Sequence, residues 1–330
     1  MSLSLPRPDR FLLAIITAAV LASIFPATGA AVPVLSWASK IMIAVLFFLY
    51  GARLSPQESL EGLRNWRLHA VILSFTYLLF PLLGLALRVL DGPVLSHELY
   101  LGLLWVCLVP PTVQSSINFT SIAKGNVAGA IVSASFSNLV GVVITPLLAI
   151  ALMSATGGLH IDASSVLDIV GQLLVPFVLG QLSRRWTADF VKRHKRLKLV
   201  DQGSIILVVY SAFSQGMREH MWSTISPGDI VRLVLVCLVV LALVLWLTWQ
   251  VARWLGFSRA DRIAIQFCGT KKSLATGVPM ATVLFAGMPT VGLMVLPLMV
   301  FHQAQLMACS ALAGRYARQA GETGDVQVAG

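Results

Sequence analysis

Charged residues are scarce in this 330-residue chain. They make up 12% of the sequence, hydrophobic residues make up 57%, and the mean hydropathy is +0.83. A soluble domain carries about 25% charged residues. A soluble fold of this composition would lack enough polar surface to cover itself, so the sequence predicts an all-α polytopic membrane protein that lies in a lipid bilayer.

Metal and disulfide motifs are also missing. The four cysteines lie in apolar stretches without metal-ligand spacing, and the six histidines form no HExxH or similar cluster. The cysteines are therefore expected to be small buried hydrophobic residues. The sequence predicts no cofactor and no metal site.

Ten apolar windows divide the chain, each near the length that a bilayer requires. We expect ten transmembrane helices, within a few residues of 10–27, 33–52, 68–88, 99–122, 127–154, 166–184, 199–216, 230–252, 262–286 and 290–312. The first window has an alternative interpretation as a signal peptide, because Arg7 and Arg10 precede it and 27–31 (ATGAA) resembles a cleavage site. We favour a retained helix because the internal symmetry described below requires it.

Basic residues indicate the orientation. With a cytoplasmic N-terminus, 18 of the 24 basic residues fall on the cytoplasmic side, three on the opposite side and three inside windows. This split follows the positive-inside rule and predicts that both termini are cytoplasmic. The three inside windows are Lys40, Lys271 and Lys272. Lys40 lies about seven residues from a window end, so we expect it to be structural and to extend its ammonium toward the interface.

The net charge of +10 is thus a topology signal, with attraction to anionic lipid heads. The basic run 184–198 lies in a predicted cytoplasmic loop, so we expect no nucleic-acid partner. The tail, 317–330, is polar and contains glycine, and we expect it to be disordered. The predicted location is the cell (inner) membrane.

Short sequence matches recur in the same order in the two halves of the chain. They pair 141–148 (GVVITPLL) with 292–299 (GLMVLPLM), 114–117 (QSSI) with 271–274 (KKSL), and 50–52 (YGA) with 210–212 (YSA). We interpret them as an internal duplication. Because five windows per half is an odd number, the second half enters the membrane inverted, as in many secondary transporters. The predicted repeats are residues 1–157 and 158–316.

The fourth window is interrupted by two adjacent prolines at 110–111, which remove two backbone donors. A new helix is expected after them, with Thr112 as a suitable N-cap and Gln114, Ser115 and Ser116 in its first turn.

The ninth window has a matching interruption at 268–273 (CGTKKS). Gly269 permits an unwound backbone. Thr270 is expected to cap a second half-helix that opens with Lys271, Lys272 and Ser273.

The two adjacent lysines need a physical reason, because each costs about 2.5–3.5 kcal/mol at the bilayer centre. No Asp or Glu lies inside any window core to pair with them. Unwound backbone at membrane depth survives only inside protein or beside a water-filled cavity, and a helix N-terminus there offers free N–H groups. Lysines at such a terminus predict a site for an anion, with one of the pair facing it. The alternative is that the prolines only kink a span and small residues only let helices pack.

Polar residues near the breaks are weaker candidates for solute binding, since each can instead form an interhelical hydrogen bond. They lie on the fourth, fifth, ninth and tenth windows. The complete set of candidate solute- or ion-binding residues is Thr112, Gln114, Ser115, Ser116, Asn118, Ser133, Asn138, Gln266, Gly269, Thr270, Lys271, Lys272, Ser273 and His302.

Three stretches, 109–127 (VPPTVQSSINFTSIAKGNV), 144–148 (ITPLL) and 266–285 (QFCGTKKSLATGVPMATVLF), carry a family resemblance. The chain resembles the bile acid:sodium symporter superfamily, and its bacterial branch related to the seventh member of the human bile-acid carrier family. The resemblance covers all ten windows. It implies two inverted five-helix repeats with helices 4 and 9 broken and crossing. It also implies a panel of helices 1, 2, 6 and 7, a core of helices 3, 4, 5, 8, 9 and 10, and a cavity between them.

The sequence departs from the sodium-coupled members that it resembles. Those members carry a glutamate and a glutamine four residues apart on helix 9, followed by an asparagine, where this chain has Gln266, Thr270 and Lys271. An asparagine beside Ser116 becomes Ile117. An anionic sodium ligand is thus lost and a fixed cation is gained, which predicts weak or absent sodium binding. Sodium and the proton are the two possible coupling ions, and we favour the proton or uncoupled transport.

The predicted function is a secondary transporter, and not an enzyme, that carries an organic anion by alternating access. One alternative is a regulatory membrane protein that moves no solute, such as a modulator of ion homeostasis. A remote alternative is an intramembrane hydrolase in which Ser116 and Lys271 form a nucleophilic pair.

Overall fold

Helices make up the described part of the fold. The computed structural model describes residues 10–53, 65–156, 167, 170–194, 196–220, 223, 225–286, 288 and 290–328, and no strand occurs among them. In chain order the helices are α1 Arg10–Ile24, α2 Ala31–Arg53, α3 Trp66–Leu90, α4 His97–Leu108, α5 Val113–Ile122, α6 Val127–Ala155, α7 Val170–Leu182, α8 Arg184–Arg193, α9 Leu197–Arg218, α10 Pro227–Trp254, α11 Arg259–Thr270, α12 Leu274–Leu284 and α13 Val291–Val328.

Each of the ten predicted windows contains helix. Five helices in the described residues are long and apolar enough to cross a membrane: α2, α3, α6, α10 and the 291–320 part of α13. A sixth crossing is formed if α4 and α5 count as one span bent by 65°. The chain is therefore a multi-pass membrane protein. Helix α13 continues to Val328, through most of the tail expected to be disordered.

Helix α3 contains a π-helical stretch, Phe75–Leu79, just before Pro81. Proline has no backbone N–H, so the regular i to i−4 hydrogen bond is lost there. A π-helical turn changes which carbonyl groups are bonded within the helix, and such turns are frequent at functional sites. The carbonyl of Thr76, inside this stretch, reappears in the site described below.

One group of helices consists of α1, α2, α7 and α9, in which α2 packs on α7 and α1 packs on α9. Two glycines let α2 and α7 touch. A Cβ atom at Gly51 would lie 2.1 Å from the Phe177 carbonyl oxygen, and one at Gly180 would lie 2.2 Å from that of Phe48. Only glycine fits at either position, so the two backbones are in direct contact.

Helix α8 contacts α2 and α7, and a second group of helices is built around α4 and α11. Helix α4 is buried from Leu99 to Leu108, and it contacts α3, α6 and α13. Helix α11 is buried from Ile263 to Thr270 and contacts α3, α5, α6 and α10. Burial on all sides places the C-terminal ends of both α4 and α11 in the interior of the helix bundle, where each gives way to a non-helical segment.

Candidate functional site at the crossed helix breaks

The first break, residues 109–112, separates α4 from α5. Val109 and Thr112 have extended backbone, and the Thr145 hydroxyl of α6 donates to the Leu108 carbonyl at 3.0 Å. Thr112 occupies the predicted N-cap position, but its side chain caps no backbone N–H and instead bonds to the Ser115 hydroxyl. Ser116 donates to the Thr112 carbonyl at 2.6 Å.

The second break, residues 271–273, separates α11 from α12, and its position differs from the prediction. Thr270 is not an N-cap: it is the last residue of α11, and its hydroxyl donates to the Gln266 carbonyl at 2.7 Å. The N-cap is Ser273, whose side chain accepts from the Thr276 N–H at 3.1 Å. Gly269 is helical, so its predicted role as the unwound residue is wrong. The Thr270 hydroxyl is therefore used by the preceding turn of α11 and is not available to cap α12.

The two breaks touch. The Ser273 N–H donates to the Pro110 carbonyl at 2.9 Å, and the Trp105 indole N–H donates to the Gly277 carbonyl at 3.2 Å. Ser116 also lies 3.4 Å from the Phe267 carbonyl on α11. Each break therefore supplies hydrogen-bond partners that the other needs, because backbone groups freed from a helix in the interior must be satisfied by protein.

Lys272 is fully buried and fully bonded. Its ammonium donates to the carbonyls of Cys107 and Val109 at 3.0 Å each and of Thr76 at 3.4 Å, and it lies 4.0 Å from the ring centroid of Phe80. An ammonium has three N–H donors, and all three are used. The C-terminal end of a helix carries a partial negative charge, so Lys272 neutralises the end of α4.

Gln305 on α13 holds the backbone of the second break. Its amide oxygen accepts from the Lys272 N–H at 3.0 Å and its amide nitrogen donates to the Lys272 carbonyl at 2.8 Å. The His302 Nδ1 lies 3.0 Å from the same carbonyl and 3.0 Å from the Gln305 amide nitrogen, and the imidazole tautomer decides which of the two it bonds. From the sequence, Gln305 is a polar residue midway along the tenth window for which an interhelical hydrogen bond is favoured over a ligand contact, and its bonds to the second break confirm that expectation. A glutamine in an apolar helix opposite a break, which must find partners when buried, was the available signal.

Lys271 is fully buried but has no hydrogen-bond partner among the described residues. Its ammonium lies 4.3 Å from the ring centroid of Phe119 on α5, and the Cys309 thiol is beside it without reaching hydrogen-bond geometry. The break is extended, and successive side chains of an extended backbone point to opposite sides. This explains why two adjacent lysines have such different surroundings.

The other candidates divide into near and distant residues. Gln266 lies near, but both ends of its amide are engaged: it donates to the Leu245 carbonyl at 2.9 Å and accepts from the Tyr316 hydroxyl at 2.9 Å. Ser133 bonds to His69 Nδ1 of α3 at 2.6 Å rather than to the breaks. Gln114 and Asn118 are exposed on α5, and Asn138 is half-buried in α6.

The hydrolase alternative fails on geometry. Ser116 donates to a backbone carbonyl of its own helix, and its hydroxyl is not hydrogen-bonded to Lys271. A serine nucleophile must be within hydrogen-bond reach of its base. The pair is therefore not formed.

Long apolar helices, with two broken helices whose ends meet in the interior, define a multi-pass membrane protein of the kind that builds secondary transporters. The model of the SBF-like CPA transporter family matches residues 9–318. The chain belongs to this family, which is a family of transporters and not of enzymes.

Three curated relatives are similar over most of their length. A Pseudomonas aeruginosa protein named "Uncharacterized protein PA2026" is 51% identical over 96% of each chain. "Putative symporter YfeH" of Escherichia coli is 46% identical over 94% of this chain and 93% of its own. "Sodium/bile acid cotransporter 7" of Danio rerio is 30% identical over 82% of each chain.

Proposed function

We propose that this protein is a secondary transporter that carries a small organic anion across the cell membrane by alternating access at the crossed breaks. The relatives named as symporter and as sodium/bile acid cotransporter support transport coupled to a second solute and an organic anion as cargo. The observation that carries the proposal is the uncompensated charge of Lys271.

Electrostatics supports an anion. The ion pairs in the described part of the chain, Arg53–Asp201, Asp91–His97 and Asp229–Arg232, all include a residue at or near a helix end. None includes either buried lysine. A buried charge without an acidic partner is costly, and binding a mobile anion next to Lys271 offsets that cost. When the anion has left, the buried charge of Lys271 is again without a counter-ion. The change between the two orientations of the carrier is therefore favoured when the anion is bound.

Lys272 bears on the coupling ion. Unwound carbonyls and half-helix C-terminal ends coordinate the coupling ion in transporters with broken helices. The carbonyls of Thr76, Cys107 and Val109 are oxygen ligands of that type, and here the ammonium of Lys272 occupies them. The names of the relatives suggest sodium, but we propose that this covalently attached cation takes the place of sodium. Transport is then driven by the anion gradient or by protons.

The same proposal includes ten membrane-crossing helices in two inverted repeats, residues 1–157 and 158–316, with cytoplasmic termini. Matching helix contacts support it. Contacts that involve the first repeat recur at the equivalent helices of the second. The contact of α2 with α7 is matched by that of α9 with α1, the contact of α3 with α4 by that of α10 with α11, and the contact of α5 with α6 by that of α12 with α13. We propose that α1, α2, α7 and α9 form a panel that moves against the remaining core.

We propose that the solute approaches Lys271 from α5, whose exposed Gln114 and Asn118 face away from the packed core. In this proposal the solute is also bound by the hydroxyls of Thr112, Ser115 and Ser116 at the first break and the start of α5, of Thr270 at the end of α11, and of Ser273 in the second break. Gln266, Gly269, Lys272 and His302 then support the breaks. Ser133 and Asn138 belong to the outer support on α6.

Uptake into liposomes tests the proposal. Purified protein is reconstituted and uptake of radiolabelled cholate is followed under imposed sodium, pH and anion gradients. We expect uptake that needs no sodium. Strong stimulation by sodium at constant pH contradicts the assignment of Lys272, and absence of flux under every gradient contradicts transport itself.

A further inference from the structure

Two arginines in the first turn of α11 lie against a pair of stacked aromatic rings, where α10, α11 and α13 meet. Trp249 of α10 and Tyr316 of α13 have ring centroids 5.2 Å apart, with 21° between the ring planes. The Arg262 guanidinium lies 5.5 Å from the Trp249 centroid, and that of Arg259 lies 6.0 Å from the Tyr316 centroid. Residues three apart on a helix are neighbours on its surface, so both cations are on the same face of α11.

The two guanidinium groups differ in their partners. Arg259 donates to the Tyr316 carbonyl at 2.9 Å, which ties the start of α11 to α13. The Arg262 Nε is buried with no hydrogen-bond partner among the described residues, and its guanidinium lies over the Trp249 ring instead. The residue as a whole is half-buried, so the side chain can still be reached from the surface. A desolvated N–H group of a cation without an acceptor calls for an explanation.

The position of the arginines in α11 adds to their cost. The N-terminus of a helix carries a partial positive charge, which disfavours cations in the first turn. Asp261 lies in the same turn, but its carboxylate already accepts from the Asn126 amide of α6 at 2.7 Å and from the Ser258 hydroxyl at 2.9 Å. Neither arginine belongs to an ion pair in the part of the chain that the structure describes. An anion bound at both arginines would offset this cost.

The tryptophans of α10 indicate the depth of this site in the membrane. Trp246 and Trp254 are 55% and 73% exposed and, with Trp249, lie near the C-terminal end of α10. Exposed tryptophans at the end of a span lie at the level of the lipid head groups. Farther along α10, Leu235 and Val239 are also exposed and offer an apolar surface to acyl chains. The anion that is present at this level in a membrane is the phosphodiester of a phospholipid.

We propose that Arg259 and Arg262 bind the phosphodiester of an anionic phospholipid, such as phosphatidylglycerol, at the junction of α10, α11 and α13. The planar N–H donors of a guanidinium match the oxygens of a phosphate, and basic pockets between helices at the membrane surface bind anionic head groups. A choline head group carries its own cation, which the arginines repel, so the site favours an anionic lipid.

A bound lipid would act on the helix that ends at the second break. It neutralises the cations at the start of α11 and holds that turn beside α13. The Tyr316 hydroxyl of α13 donates to the Gln266 amide oxygen at 2.9 Å, one turn before the end of α11. The lipid site is distinct from the crossed breaks, and the inference does not rest on the proposed transport function.

Lipid titration of the purified protein tests the site. The protein is delipidated in a non-ionic detergent, and bound lipids are counted by native mass spectrometry at about 0.15 M ammonium acetate, where distant charges are largely screened. We expect saturable binding of phosphatidylglycerol that exceeds that of phosphatidylcholine with the same acyl chains. Arg262→Gln should raise the apparent dissociation constant at least about fivefold, and Arg262→Lys should restore part of the affinity.

Arg253→Gln is the matched control, because it removes one positive charge from an exposed position in the last turn of α10. It should change the dissociation constant less than about twofold, since its charge is screened. Trp249→Leu gives a second test: it removes the ring beneath Arg262 without changing the charge and should also weaken binding. Size-exclusion chromatography checks that each variant is folded.

Three results would overturn the site: equal affinity of the wild type and Arg262→Gln, an equal loss with Arg253→Gln, or equal binding of phosphatidylcholine. Inorganic phosphate distinguishes a free anion from a lipid head group. If phosphate displaces phosphatidylglycerol at an equal concentration, the assignment to a lipid is wrong.

Discussion

Lys271 and Lys272 are neighbours in sequence, are equally buried and differ in almost everything else. The ammonium of Lys272 has three carbonyl partners, whereas that of Lys271 lies over an aromatic ring and has no hydrogen-bond partner in the part of the chain that the structure describes. A fully bonded cation contributes to the structure, while an incompletely bonded one remains available for a ligand. The comparison teaches that a charge inside a membrane protein must be judged by its partners and not by its depth.

Removing Lys272 should produce the largest effect on stability. Lys272→Ala leaves the carbonyls at the end of α4 without a donor, and we expect a loss of about 3 kcal/mol or more in the free energy of unfolding. Denaturant titration of the purified variant measures it, and added sodium or methylammonium should restore part of the loss. Unchanged stability would show that the three carbonyl contacts of Lys272 do not stabilise the fold, and would contradict the structural role that distinguishes it from Lys271.

Gln305→Leu should be next, because the backbone N–H and carbonyl of Lys272 both lose their partner. We expect a loss of about 2 kcal/mol. Gln303→Leu is the matched control two residues away: its amide oxygen is buried with no hydrogen-bond partner among the described residues, so the substitution should be neutral or stabilising. The same titration measures both variants, and equal losses would mean that the amide contacts to the break do not stabilise it.

Lys271→Met should change stability little and transport greatly. It removes a cation–π contact worth about 1–2 kcal/mol but also removes a buried charge, so the two effects offset one another. We expect cholate uptake by proteoliposomes to fall at least about tenfold, with a folded protein by size-exclusion chromatography. Normal uptake by this variant would refute the role of Lys271.

The smallest effect should come from the helix caps at the two breaks. Ser273→Ala removes a side chain that caps α12 and should cost about 1 kcal/mol. Thr112→Ala, at the equivalent position of the first break, removes a side chain that caps no backbone N–H and should cost less. If the two variants have the same free energy of unfolding, the side-chain cap at the second break does not stabilise α12.

Local chemistry made much of this fold predictable. The prolines at 110–111 and the lysine pair placed the two interruptions correctly, because both change the backbone or the charge of a span directly. The N-cap of α12 was misplaced by three residues, since whether Thr270 caps or bonds backward is decided by packing. The partners of Lys272 and Gln305 lie on other helices, more than 30 residues away in the chain, and no local pattern encodes them.

The close approach of α2 and α7, with Gly51 against the Phe177 carbonyl and Gly180 against the Phe48 carbonyl, has a mechanical consequence. With backbone against backbone, α2 and α7 have no layer of side chains between them that can slide or change rotamer, so the pair resists shear. Relative displacement is then expected at helix contacts that are made through side chains. A single methyl group at Gly51 would push α2 and α7 apart and make the pair less rigid. The change would not touch any residue that contacts the solute.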